Sequence, residues 1–360
     1  MKRNYGIDLL RMILMIMVLI LHILWSGGIL NAAHPLSANY NIAWLLETMA
    51  YCAVDGYIII TGYVHVDRKI KISSYILLWL QVVTYSVGIS ACMWVFKPES
   101  FSFRSLFYFL SPVSHNLFWF FSAYTGLFVL MPILNAAMKS ISQNQARYYL
   151  CVILVILSGI SIVSYSDPFM LKNGYSVIWF VVLYMVGACI KQFNWDQNIK
   201  RSHAFFIYLL CVVVSWVVKM VGDWYSQMMG EPIQQSGVLI SYISPTILLS
   251  AVSLFCVFSN LNLNAPIQKF VGIFSPATFG VYLIHTHECL GVHLIQQKYA
   301  FLADQNSFVM VGGIILVVLA IFLVCLLIDW VRLRIFGVFH IKRQLERIEK
   351  TMDLFFVARE

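Results

Sequence analysis

Apolar residues run in long stretches along this chain, each ended by a short polar segment that carries most of the charge. A helix needs about 20 apolar residues to cross the hydrocarbon core of a bilayer. Ten stretches approach that length: 7–28, 43–64, 73–96, 117–138, 147–165, 175–192, 203–222, 237–258, 271–295 and 307–331. The ninth is the least regular, with Pro276 near its start and His285, Thr286, His287 and Glu288 inside it. Segment 100–116 (SFSFRSLFYFLSPVSHN) is too short and polar to span, and its aromatics suit the outer interface. Past 331, Ile341, Leu345, Ile348 and Met352 recur at helical spacing among Arg, Lys and Glu, which predicts an amphipathic helix on the inner membrane surface. The pattern predicts an all-α polytopic membrane helix bundle, with a transmembrane domain over 1–332 and a cytoplasmic amphipathic tail over 333–360.

Composition agrees with the pattern. The 360 residues are 61% hydrophobic and 11% charged, against about 25% charged in soluble domains, which excludes a soluble enzyme. The net charge of +8 is explained by the positive-inside rule, so no nucleic-acid partner is expected. With the N-terminus inside and each helix crossing once, 18 of the 24 Lys and Arg fall on the inner side. Five fall outside (Lys97, Arg104, Lys172, Lys219 and Lys298), and Arg11 lies within a span. That bias predicts ten spans with both termini cytoplasmic. No small-residue cleavage site follows the first apolar run, so it reads as a retained span. The eight cysteines sit singly in apolar runs without a CxxC pair, as small membrane residues and not as disulfides or metal ligands.

Charge inside a span is costly, about 2.5–3.5 kcal/mol for a central Arg on insertion scales, so Arg11 and His22 stand out in the first one. They are eleven positions apart, which at about 100° per residue leaves them roughly 20° apart on one helix face with a rise of roughly 16 Å. Arg11 suits a phosphate or carboxylate, or an ion pair with Asp8 at i−3. His22 suits general base or nucleophilic chemistry near neutral pH, or a hydrogen bond to a neighbouring helix. Glu47 and Asp55, eight apart in the second span, lie near one face, and either orients His22 or makes a structural hydrogen bond. On a helix His285 and His287 point to opposite sides, so they do not share a metal and none is expected. With Glu288 they make a polar wall for an acceptor. Trp119, Tyr124, Trp224 and Tyr225 are candidates for stacking on sugar rings. No GxSxG elbow, P-loop or dinucleotide fingerprint occurs in a suitable setting.

Four segments together resemble the acyltransferase-3 family of membrane acyltransferases. GIDLLRMILMIMVLILH (6–22) is similar to the family's first helix, with Arg11, ten residues, then His22. AVDGYIIITGYV (53–64) resembles its second-helix ending, with Thr61 in place of the usual Ser and Gly56-Tyr57 in place of an aromatic pair. LFWFFSAYTGLFVLMPILN (117–135) resembles its Trp-Phe segment before a Pro, and FGVYLIH (279–285) its late-helix signature. The resemblance implies a ten-span bundle that moves an acyl group, commonly acetyl, from cytoplasmic acyl-CoA to a hydroxyl or amine. Acceptors in the family are often bacterial surface glycans or their lipid-linked precursors. Arg11, His22 and Asp55 match the family's functional Arg, His and Asp. The family's Arg-rich loop after the second helix is reduced here to Arg68, Lys69 and Lys71, which leaves these to bind CoA.

The expected activity is therefore O-acetylation of a surface polysaccharide in the bacterial plasma membrane. Acetyl-CoA would sit with its diphosphate near Arg11, Arg68, Lys69 and Lys71 and its thioester near His22, held by Asp55 or Glu47. The rival is a transporter of a glycan or small molecule, since buried charge marks substrate pathways equally well.

Overall fold

The computed structural model of the chain describes residues 3–164, 167–230 and 236–357. The first helix, α1 (Tyr5–Leu24), begins where Asn4 Oδ1 accepts the backbone N–H of Gly6 at 3.0 Å and of Ile7 at 3.2 Å. Such a cap satisfies donors that the first turn leaves open. A short α2 (Ile29–Ala32) leads to α3 (Ala38–Ala50) and α4 (Ala53–His65), which form the second apolar segment with a break at Tyr51–Cys52. Then come α5 (Ile72–Phe96), α6 (Phe103–Leu110) and α7 (Trp119–Ser140). α8 (Gln143–Leu154) runs through a π-helical turn, Val155–Ile160, into α9 (Ser161–Val163). α10 (Val177–Gln192), α11 (Arg201–Met229) and α12 (Pro245–Ser259) follow. The late segments are α13 (Ala265–Phe274), α14 (Thr278–His285), α15 (Glu288–Leu294), α16 (Ser307–Val338) and α17 (Ile341–Val357).

Among the described residues there is no strand, and eight helical segments are long and apolar enough to cross a membrane. The shorter α10 and α12 are apolar as well. The chain is an all-α, multi-pass membrane protein, and each of the ten apolar stretches of the sequence overlaps one of these helices.

Three boundaries differ from the sequence pattern for local reasons. The stretch 237–258 is helical only from Pro245, which has no N–H to give and opens α12 at its first position. The stretch 271–295 is three helices. Pro276 sits in a 3-10 turn after α13, and the backbone leaves the helix at His287, whose ring accepts the Cys289 N–H to cap α15. α16 continues past 331 to Val338, because Asp329 and Arg332 neutralise each other on its buried side. Asp329 Oδ1 accepts from Arg332 Nε at 2.6 Å, from the Tyr85 hydroxyl at 2.7 Å and from Gln81 Nε2 at 3.1 Å, tying α16 to α5. Helix α17 covers the predicted tail, while residues 358–360 and the side chain of Met352 lie outside the described residues.

The core centres on α1. This helix is apolar nearly all round, as a fully surrounded helix must be, and packs against α3, α4, α12, α14 and α16. The tightest crossing is α4 on α10. A Cβ on Gly62 would lie 2.1 Å from the Tyr184 carbonyl oxygen, and one on Gly187 2.1 Å from that of Ile59. Only glycine permits that approach, and it fixes α4 against α10. On the outer side of α16, Leu316, Leu319, Leu323 and Leu327 are exposed, the surface that lipid covers.

Candidate active site

Both singled-out residues of the first span lie on the unbroken α1, so the rise between them, roughly 16 Å, follows from helix geometry. At one end Arg11 Nη1 binds Asp8 Oδ1 at 2.6 Å and Arg3 Nε binds Asp8 Oδ2 at 2.5 Å. Two guanidinium groups thus share one buried carboxylate, and the end keeps a net positive charge. The Arg11 side chain, 30% exposed, lines a cavity of about 650 Å³ together with Arg3, Arg68, Thr61 and Tyr124.

A second cavity, about 420 Å³, continues along α1. Tyr57, Phe120 and Phe279 line both cavities and form a collar between them. Tyr57 is fixed there because its hydroxyl donates to the Arg11 carbonyl at 2.6 Å, locking α4 to α1. The second cavity is walled by aromatics, among them Trp44, Tyr51, Trp119, Tyr175 and Tyr242, and carries Glu47 and His22. A third cavity, about 430 Å³, meets it at His22, Trp25 and Ser26, and is lined by His285, Thr286, His287 and Glu288. His22 therefore stands where two cavities join, about three helical turns from Arg11.

The protonation of His22 follows from its partners. His285 Nδ1 lies 2.5 Å from the Val281 carbonyl, which only accepts, so this nitrogen carries the proton. The Nε2 of a neutral His285 is then a bare acceptor. His22 Nδ1 lies 2.8 Å from it and must donate. The proton of His22 is thus held on Nδ1, and Nε2, on the far edge of the ring from His285, carries the lone pair and has no hydrogen bond among the described residues. A base-ready nitrogen results without a carboxylate. A third group orienting a base is the general arrangement of such sites.

This assignment replaces the sequence expectation that Asp55 or Glu47 orients His22. Asp55 is fully buried, accepts from Trp179 Nε1 at 3.3 Å and lines none of the three cavities. It joins α4 to α10 at their close crossing. Glu47 shares the second cavity with His22, and its Oε2 has no hydrogen-bond partner among the described residues. His285, expected in an acceptor wall, is the partner of His22 and also edges the third cavity. His287 is engaged structurally, its Nε2 donating to the Ser86 carbonyl at 3.1 Å. Glu288 accepts from the Tyr108 hydroxyl at 2.8 Å. Partial burial and that carboxylate push the Tyr108 phenol up to about 12.

Other expectations shift in place. Tyr124 lies in the cavity of Arg11, away from His22. Trp119 lines the His22 cavity, stacked on Tyr242 and tilted against Tyr175. Trp224 and Tyr225 are exposed on α11 and line none of the three cavities. Of the basic loop, Arg68 reaches the first cavity; Lys71 pairs with Glu346 at 3.9 Å, and neither it nor Lys69 lines that cavity. Sequence reasoning missed Arg3 as a second cation and the collar of Tyr57, Phe120 and Phe279. The two phenylalanines lie within FWF and FGVYLIH, segments read only for resemblance.

The family model described as an acyltransferase domain, that of the acyltransferase-3 family, matches residues 4–330, nearly the whole chain. No curated protein and no solved structure matches it. The chain belongs to the acyltransferase-3 family, and is a membrane acyltransferase with an acyl donor, an acceptor and the lipid bilayer as its partners.

Proposed function

We propose that this acyltransferase moves an acetyl group from acetyl-CoA to a hydroxyl of a cell-surface polysaccharide, or of its lipid-linked precursor, at a bacterial plasma membrane. The observation that carries the reading is that α1 joins a cationic cavity at Arg11 to a base-ready imidazole at His22. The cavity of Arg3, Arg11 and Arg68 has the charge for the donor's phosphates. The collar beyond it leads a flexible thioester arm toward His22. The aromatic walls and Glu47 suit the apolar faces and hydroxyls of a sugar ring.

The chemistry balances with the residues present. The acceptor hydroxyl oxygen attacks the thioester carbonyl carbon as its proton passes to His22 Nε2. The tetrahedral intermediate collapses with cleavage of the C–S bond. The CoA thiolate leaves, and His22 returns the proton to it. His285 holds the imidazole in the tautomer that can accept that proton.

The test is acetyl-CoA binding to purified wild-type and Arg11→Ala protein, with free CoA as competitor. Saturable binding, weakened about tenfold or more by loss of a charge-assisted contact, supports the reading. Absence of saturable binding to folded wild-type protein, or binding that Arg11→Ala leaves unchanged, overturns it.

A further inference from the structure

The loop that brings Arg68 to the donor cavity joins α4 to α5, and it is pinned at both ends. At the α4 end the His65 carbonyl accepts from Asn135 Nδ2 at 3.0 Å and from the Arg68 backbone N–H at 3.0 Å. At the other end α5 opens behind Lys71, whose side chain offers no acceptor to the first turn. The missing cap comes from the far end of the chain. Glu349, on α17, accepts the Ile72 backbone N–H with Oε1 at 2.7 Å and the buried Ser73 hydroxyl with Oε2 at 2.5 Å. Lys71 meets Glu346 one helical turn away. A carboxylate at a helix N-terminus is favoured both by the open N–H groups and by the helix dipole.

We propose that Glu349 is a positioning residue for the acyl donor: by capping α5 it holds the loop that sets Arg68 in the donor cavity. This rests on the donor reading of that cavity. Leu78, further along α5, lines the same cavity, so the first turns of α5 supply part of its wall while the preceding loop supplies its cation. The C-terminal helix thus acts on donor binding without touching the donor. The acceptor side, about three turns further along α1 at His22, is outside its reach.

The experiment measures the Kd of acetyl-CoA for full-length protein in detergent. Glu349→Ala weakens binding about fivefold, the factor a lost helix cap is worth. Glu349→Gln, which keeps an oxygen for the Ile72 N–H, retains most of the affinity. Ser73→Ala, a smaller change at the same contact, weakens binding less than Glu349→Ala. The double variant Glu349→Ala/Arg68→Ala binds no worse than Arg68→Ala alone, because the two act through one contact; a merely structural role would add to the Arg68 loss. Wild-type affinity in Glu349→Ala, or additive losses in the double variant, overturns the proposal. If Arg11→Ala and Arg68→Ala also bind as wild type does, the donor reading has failed and this one falls with it. If they bind weakly while Glu349→Ala binds normally, the donor reading stands and the positioning role alone is refuted.

Discussion

Replacing His285 by alanine tests how the base is prepared. In the native protein His22 Nδ1 donates to His285 Nε2 at 2.8 Å, and His285 is locked by its own bond to the Val281 carbonyl at 2.5 Å. His285 is 1% exposed, and among the described residues no other side chain bonds to His22. His285→Ala leaves the His22 N–H without an acceptor, at a cost of about 1–3 kcal/mol for a buried donor. The ring escapes that cost by turning or by moving its proton to Nε2, and either route removes the base from the acceptor. At 1.36 kcal/mol per factor of ten, the expected loss in kcat is about 10–100-fold. On the proposed reading acetyl-CoA affinity is set at the Arg11 end, and it should stay within about twofold, since sites this far apart are close to independent. His285→Gln restores an acceptor oxygen and recovers part of the rate. The assay follows labelled acetyl passing from acetyl-CoA to isolated envelope glycan in detergent. Wild-type kcat in His285→Ala, or a loss of donor affinity as large as the loss of rate, would refute the tautomer argument.

Two further outcomes follow from the packing and from the cationic end. Gly187→Leu drives a side chain into the Ile59 carbonyl, whose oxygen lies 2.1 Å from a Cβ at that position, and overpacking of this kind costs about 1–3 kcal/mol; thermal unfolding in detergent should shift down, whereas Gly88→Leu, with nothing within 4 Å, should not. Arg11→Lys keeps the charge but loses the planar fork that binds Asp8 and, on the proposed reading, a donor phosphate, so acetyl-CoA binding should fall between wild type and Arg11→Ala in a direct binding assay.

What the sequence could and could not disclose divides along the range of the interactions. Arg11 and His22 were legible as a pair because one uninterrupted helix fixes their spacing, and the apolar stretches were legible because bilayer thickness sets their length. The break at Thr286–His287 was not, since it depends on His287 capping α15 and bonding to Ser86, a residue 201 positions away. The partner of His22 was hidden for the same reason: His285 is 263 positions distant, and the nearer acids Asp55 and Glu47 offered the simpler chemistry. The position of Tyr124 was not legible either, because its helix, α7, contributes both to the collar through Phe120 and to the Arg11 cavity one turn later. The tail was legible only as an amphipathic helix, and only the fold of α17 against α5 reveals what Glu349 caps.

On the proposed mechanism His22 takes the acceptor's proton while the donor is held elsewhere along α1. Purified His22→Ala is therefore compared with wild type for acetyl-CoA binding and for label transfer to envelope glycan in the same preparation. Donor affinity should stay close to wild type, and the transfer rate should fall by about 100-fold or more, the range expected for removing a general base. Transfer by His22→Ala at the wild-type rate would contradict it.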